Sequence, residues 1–425
     1  MSDLTHTEAW PRSLRQLGSA ATVVGAAGTL ICLVLLFVPR TQALMYPAYL
    51  VGFIFWAGIA VGGSALTMLH HLTGGSWGLL VRRPLEAAAL VIIPLAVLFI
   101  PIALNLPALY PWARGDDPYM AEILKKTAYL NPFGFIARAI AYFVIWSLIA
   151  VVLNRLSRRQ DQSASRAPTM WLKRLSAPGL GLLFLAASFA AIDWVMSIEP
   201  EWPSSIYPVM LITGWGLATW CCSILVSGTL RRTEPMEAVA TPGRFQDIAN
   251  LSLAFVMLWA YTSFMQYLII WCGNLTEEIP WYLRRSRGTW QFFVFALIAF
   301  QFFTPFFLLL SRGVKRRAPK LMALACAVLL MRFVDGVWLV LPGQVRDPLS
   351  PGIGVNWLQV ALAAFATLSI GGVCVGFFLA FLKQAPLVPL NDPAVDILAH
   401  HEGHEGSDDD IDAIVTHAGA EVRHV

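Results

Sequence analysis

Ten apolar runs, each near 20 residues, follow one another through the chain, with polar or proline-bearing breaks between them. In a bilayer every backbone amide and carbonyl must be satisfied within its own segment, and about 20 helical residues cross the hydrocarbon core. The runs are therefore expected to fold as membrane helices, at 18–38, 47–70, 84–104, 133–154, 178–199, 207–229, 247–271, 290–311, 319–341 and 357–382. Composition agrees: 13% of residues are charged, against roughly 25% in soluble domains. The chain reads as an all-α polytopic membrane protein, and a soluble domain is excluded. Pro39, Pro47, Pro84, Pro132, Pro178, Pro200 and Pro208 fall near run ends, where they are expected to break helices. The polar stretch from Met1 to Gly18 lacks a cleavage pattern behind it, so the first run is read as a helix rather than a signal peptide.

Lysine and arginine set the orientation. Arg12, Arg15, Arg82, Arg83, Arg155, Arg158, Arg159, Arg166, Lys173, Arg174, Arg231, Arg232, Arg244, Arg312, Lys315, Arg316, Arg317, Lys320, Lys383 and Arg423 fall on one side, and eight basic residues on the other. Both termini are thus expected to be cytoplasmic. The formal charge of +4 reports topology, not nucleic-acid binding.

An internal repeat is visible. Tyr46-Pro-Ala-Tyr-Leu50 opens the second helix and Tyr207-Pro-Val-Met-Leu211 the sixth, and the same offset takes Arg83 to Arg244 and Glu86 to Asp247. Helices 2–5 and 6–9 are therefore expected to form two tandem four-helix bundles flanked by helices 1 and 10. The corresponding divisions are a tail at 1–17, a first helix and loop at 18–45, bundles at 46–206 and 207–345, a tenth helix at 346–384 and a tail at 385–425. That tail is proline-rich, then acidic and histidine-rich at His400-His-Glu-Gly-His404. It reads as disordered or draped on a partner, with metal binding as the alternative.

Two acids stand inside apolar runs. Asp193 precedes Pro200 by seven residues, and Asp335 precedes Pro342 by the same spacing. A carboxylate at mid-bilayer costs roughly 2.5–3.5 kcal/mol on insertion scales and normally marks a proton, ion or ligand path. Arg332 lies one helical turn before Asp335, so a structural ion pair and a proton relay are both open there. Asp193 has no partner in its own helix, which favours function. Glu86 and Asp247 each open a helix on the basic side, where the helix dipole favours an acid.

His70 and His71 are the only histidines near the membrane. Adjacent helical residues diverge by about 100° and cannot clamp one haem iron. They read as a polar helix end, or as a proton-uptake point beside Glu86. The candidate proton path is thus His70, Glu86, Asp193, Asp247, Arg332 and Asp335, with no catalytic residue and no metal site. The six cysteines form no C-x-x-C motif and read as apolar helix residues. In helix 7, Tyr261 and Gln266 are a possible polar or quinone lining, although a Gln266 bond to a neighbouring helix is the commoner use of such a residue.

Three stretches resemble one family: Gln266-Tyr-Leu-Ile-Ile-Trp271 through Pro280-Trp-Tyr282, Asp193-Trp-Val-Met-Ser-Ile-Glu-Pro-Glu-Trp202, and Asn391-Asp-Pro393. They resemble the ActF-type membrane subunit of bacterial alternative complex III, within the NrfD and polysulfide-reductase superfamily. Thr276 stands where that family usually has proline. The resemblance covers nearly the whole chain and implies two four-helix bundles with flanking helices. It implies a subunit of a quinol:acceptor oxidoreductase in an electron-transport chain, without redox cofactors of its own. Haem c and iron–sulfur clusters would sit in partners: an ActC-like sister subunit, the ActA multihaem cytochrome c, the ActB iron–sulfur protein, ActD, ActE and a terminal oxidase. Quinol oxidation is placed mainly in the sister subunit, which leaves a proton-conducting or scaffold role here. A proton-coupled secondary transporter is the alternative from another class.

Overall fold

The computed structural model describes residues 12–115, 124–162, 167–344 and 354–392. Among them ten helices are long and apolar enough to cross a membrane. They are α1 (Gly18–Phe37), α2 (Gln42–Thr73), α3 (Gly78–Leu104), α4 (Pro132–Gln162), α5 (Ala167–Ile198), α6 (Tyr207–Leu230), α7 (Pro242–Gly273), α8 (Trp290–Leu310), α9 (Ala318–Gln344) and α10 (Trp357–Leu382). The chain is a multi-pass membrane protein. The acids Asp116, Asp117 and Glu122, with Arg346 and the histidine-rich tail, lie outside the described residues.

Most helices run past the bilayer-length segments expected of them. Pro47, Pro84 and Pro178 were expected near helix ends, but each lies inside a continuing helix. Elsewhere proline does interrupt. α3 breaks at Val91 and again at Phe99, just before Pro94 and Pro101, because each ring removes a donor and crowds the carbonyl four residues back. In α8 the turn Leu297–Phe303 widens to π geometry. Pro305 follows it and cannot donate to the Gln301 carbonyl.

α2 and α6 are the most enclosed, with 83% and 72% of their apolar stretches buried, against 28% for α1, α7 and α8. They therefore form the centre. α2 meets α1, α3, α4, α5, α6, α9 and α10, while α6 meets α2, α3, α5, α7 and α9. Glycines let the central pair approach closely. A Cβ on Gly58 would fall 2.1 Å from the Trp215 ring, and Thr219 Oγ1 donates to the Ile59 carbonyl at 3.3 Å.

The flanking pair α1 and α10 packs backbone to backbone. A Cβ on Gly25 would lie 2.5 Å from the Gly372 Cα, and no side chain can move to make room. Lipid offers no hydrophobic force between helices, so such small-residue contacts supply the association. Gly25→Val is expected to cost about 1–3 kcal/mol by overpacking, read as a lower unfolding midpoint in detergent titration. An unchanged midpoint would mean that α1 is not held by this seam.

Candidate functional site

Buried charge collects at the two ends of the helices. The end carrying Arg82, Arg83, Arg155 and Arg158 is called the basic end here, and the other the far end.

At the basic end, Glu86 does not open its helix. It lies in the third turn of α3, beyond reach of the helix N-terminus, and two arginines hold it instead. Arg82 Nε donates to Glu86 Oε1 at 2.9 Å and Arg83 Nη1 to Oε2 at 2.7 Å. Ser157 Oγ of α4 adds a third bond to Glu86 at 2.6 Å. Arg82 also donates to Gln160 at 2.7 Å and to Asp392 at 2.5 Å, and Arg83 forks onto both oxygens of Asp161. Both guanidinium groups are 1% exposed, so the arrangement is a buried ionic network.

His70 and His71 stand beside it. A polar helix end at an interface would leave them exposed, yet both are buried; the proton-uptake reading stays open. The Gly74–Gly75 turn, with both φ angles positive, ends α2 and brings the Gly75 carbonyl within 3.3 Å of His70 Nε2. Trp77 meets the His70 ring edge-on, and His71 Nδ1 lies 3.1 Å from Ser176 Oγ. His70 Nδ1 and His71 Nε2 are buried without a hydrogen-bond partner. Asp247, the repeat counterpart of Glu86, differs: it is half-buried and lies in the second turn of α7. Nearby, Lys315 Nζ donates to Asn250 Oδ1 at 2.7 Å, and burial together with Arg312 pushes the Lys315 amine below its ordinary range.

At the far end, Asp193 is fully buried and is not alone. Its partner comes from the neighbouring helix: Arg138 of α4 donates from Nε to Oδ2 at 2.8 Å and from Nη2 to Oδ1 at 3.1 Å. Tyr142, one turn after Arg138, donates to Oδ2 at 2.7 Å. Tyr129 stacks its ring under the guanidinium at 3.9 Å. Burial and the Asp193 charge push the Tyr129 phenol upward from its ordinary range. Arg138 and Tyr142 were missed as partners of Asp193. Their signal was an arginine inside an apolar run with a tyrosine four residues on, sharing one helix face.

Asp335 pairs with Arg332 inside α9, at 2.7 Å, and both are buried. The guanidinium reaches toward the Trp259 ring of α7. Gly214 of α6 leaves it room, since a Cβ there would fall 2.0 Å from Nη2. A cavity of about 20 Å³ opens beside it, lined by Val51, Trp215 and Gly336 among others, which is enough space for one water.

Two sequence motifs, read separately, meet in space. Glu199 accepts from Arg285 Nη2 at 2.5 Å, and Trp202 stacks on Trp281 at 4.4 Å. Arg285 lies 3.8 Å over the Trp281 ring and also donates to the Leu339 carbonyl. This fastens the segment after α5 to the one before α8 and to the end of α9. Gln266 is buried and accepts from Ser204 Oγ of the same region, so it holds a neighbouring segment. Tyr261 differs: its side chain is exposed on the outer face of α7.

The structure thus places His70, His71 and Glu86 at the basic end, each with its own partners, and Asp193 at the opposite end. Arg138 and Ser157 are 19 residues apart on α4, or about 28 Å along the axis. No family model and no curated protein matches the chain.

Proposed function

We propose that this protein is an ActF-type, NrfD-like membrane subunit of a quinol:acceptor oxidoreductase of the alternative complex III kind. It serves as proton path and scaffold and does not carry redox cofactors. One observation carries the reading: buried carboxylates are held by arginines at opposite ends of α4, Glu86 of α3 by Arg82 and Arg83 and Asp193 of α5 by Arg138. Buried ionisable groups inside a membrane are costly and mark ion or proton paths. On this reading the basic end is cytoplasmic, both termini lie on that side, and the membrane is the bacterial inner membrane. Helices α2–α5 and α6–α9 act as tandem units. His70, Glu86 and Asp247 take up protons, and Asp193, with Arg332 and Asp335, lies toward the periplasm.

The far-end knot of Glu199, Arg285, Trp202 and Trp281 supports a scaffold role, since it stiffens the surface where a periplasmic partner would dock. The partners on this reading are the ActC-like sister subunit, ActA, ActB, ActD, ActE and a terminal oxidase. Purification in mild detergent through a tag on this chain tests it, read by haem staining and subunit mass. A co-purifying multihaem cytochrome and iron–sulfur protein are expected. A lone, colourless 46.8 kDa protein would sink the proposal in favour of a proton-coupled transporter. In the intact complex, Asp193→Asn is expected to lower the proton-to-electron ratio while the haems still reduce. An unchanged ratio would make Asp193 an anchor only.

A further inference from the structure

Directly after α10, residues 383–392 stay on the protein. Residues 384–392 turn back across the basic end with almost no regular structure, held by two kinds of contact. Leu387 and Val388 are buried in the same apolar cluster as Leu79, Leu80 and Leu382. The next residues make polar bonds to the end of α4. Leu390 N donates to Asp161 Oδ1 at 3.2 Å, and Asn391 Nδ2 donates to the carbonyls of Gln160 and Asp161 at 2.9 and 3.1 Å. Asp392 then accepts from Arg82 Nη1 at 2.5 Å. Behind it, Arg158 Nη2 donates to Gln384 Oε1 at 2.9 Å.

What lies beneath distinguishes this from a simple tail anchor. Arg82 joins Asp392 on one side to Glu86 on the other, so the segment sits directly over the candidate uptake cluster. The His70 ring packs against Gly78, where a Cβ would collide with Nε2, and the next residues, Leu79 and Leu80, are those that Leu387 and Val388 cover. The rings of His70 and His71 each keep one buried nitrogen without a partner, and such an atom is satisfied at once if water enters. The covering segment is bonded mainly through side chains at its end, so it can lift without unfolding a helix, as low-stability local openings do.

We propose that residues 384–392 are a removable plug over His70, His71 and Glu86, latched by Asp392 on Arg82. The plug regulates water access to this end of the molecule. Its purpose rests on the proton-path reading, but its existence does not.

The test is diethyl pyrocarbonate labelling of His70 and His71 in the full-length protein in lipid nanodiscs, read by peptide mass spectrometry. This needs neither electron nor proton transfer, so it stands or falls apart from the functional reading. Slow labelling is expected in the native sequence. The double variant Asn391→Ala/Asp392→Asn is expected to label about tenfold faster or more, as a local opening would give. A second variant, Leu387→Ser/Val388→Ser, lifts the segment by its apolar half and should act alike. If both variants label at the native rate, the plug does not exist. Labelling that rises only with loss of the folded peak on size exclusion would make these residues part of the core and equally overturn the proposal.

Discussion

Arg82→Ala lowers the stability of this protein by about 3–5 kcal/mol, the cost of breaking a buried ion pair from one side. The magnitude follows from what one guanidinium does. It donates to Glu86, Asp392, Ser157 and Gln160, which come from α3, α4 and the segment after α10. Alanine keeps the three acids Glu86, Asp161 and Asp392 in place but leaves Arg83 as the one guanidinium bonded to them among the described residues. Arg82→Lys keeps the charge but cannot fork to four acceptors, so an intermediate loss of about 1–3 kcal/mol is expected from the orphaned polar groups. Equilibrium unfolding in mixed detergent, followed by tryptophan fluorescence, separates the three proteins. If alanine costs less than about 1 kcal/mol, the range of exposed ion pairs, water reaches the cluster and it is not a dry network.

Helix number and approximate position were legible because a bilayer allows few alternatives to apolar helices of this length. Helix ends were less so. Hydropathy measures the hydrocarbon thickness, whereas α4 continues beyond it to residues that bond to Arg82, Arg83 and Glu86, and α5 begins ahead of it. The prolines show why local rules did not suffice. Pro47 and Pro178 lie inside helices that their surroundings hold together, while Pro94 and Pro101 break α3.

The site was legible where partners share a helix and hidden where they do not. Arg332 and Asp335 are a turn apart, so their pairing follows from the spacing. Arg138 is 55 residues before Asp193 in sequence, and only the contact between α4 and α5 joins them. Asp392 was harder still, because nothing in a polar tail says that one acid returns to a buried arginine. Glu86 was found but explained wrongly: proximity to a helix start pointed to the dipole, and the adjacent arginines Arg82 and Arg83 do the holding. Tyr261 and Gln266 looked alike as polar residues of α7, yet five positions place them on different faces, one inside and one out.

Arg138→Leu is the second large effect, and its reversal carries more information than its size. The variant leaves the fully buried Asp193 with Tyr142 as its remaining side-chain donor, for an expected loss of about 3–5 kcal/mol. Adding Asp193→Leu removes the buried charge as well, and apolar replacement of a whole buried pair is often close to neutral. The double variant is therefore more stable than Arg138→Leu alone, although the Tyr142 hydroxyl loses its acceptor, at about 1–3 kcal/mol. Tyr142→Phe on that background removes the orphan and recovers this part. Stability measured for the native protein, Arg138→Leu, Asp193→Leu and the double variant isolates the coupling between the pair, and a double variant no more stable than Arg138→Leu would mean that Arg138 does not compensate Asp193. The triple variant then separates anchor from path. It keeps a packed α4–α5 contact but has neither carboxylate nor guanidinium at the far end of that contact. If the complex carrying it oxidises quinol with an undiminished proton-to-electron ratio, the pair only fastens two helices. A folded, haem-bearing complex with a reduced ratio places Asp193 on the path, because the fold no longer needs the charge and the chemistry does.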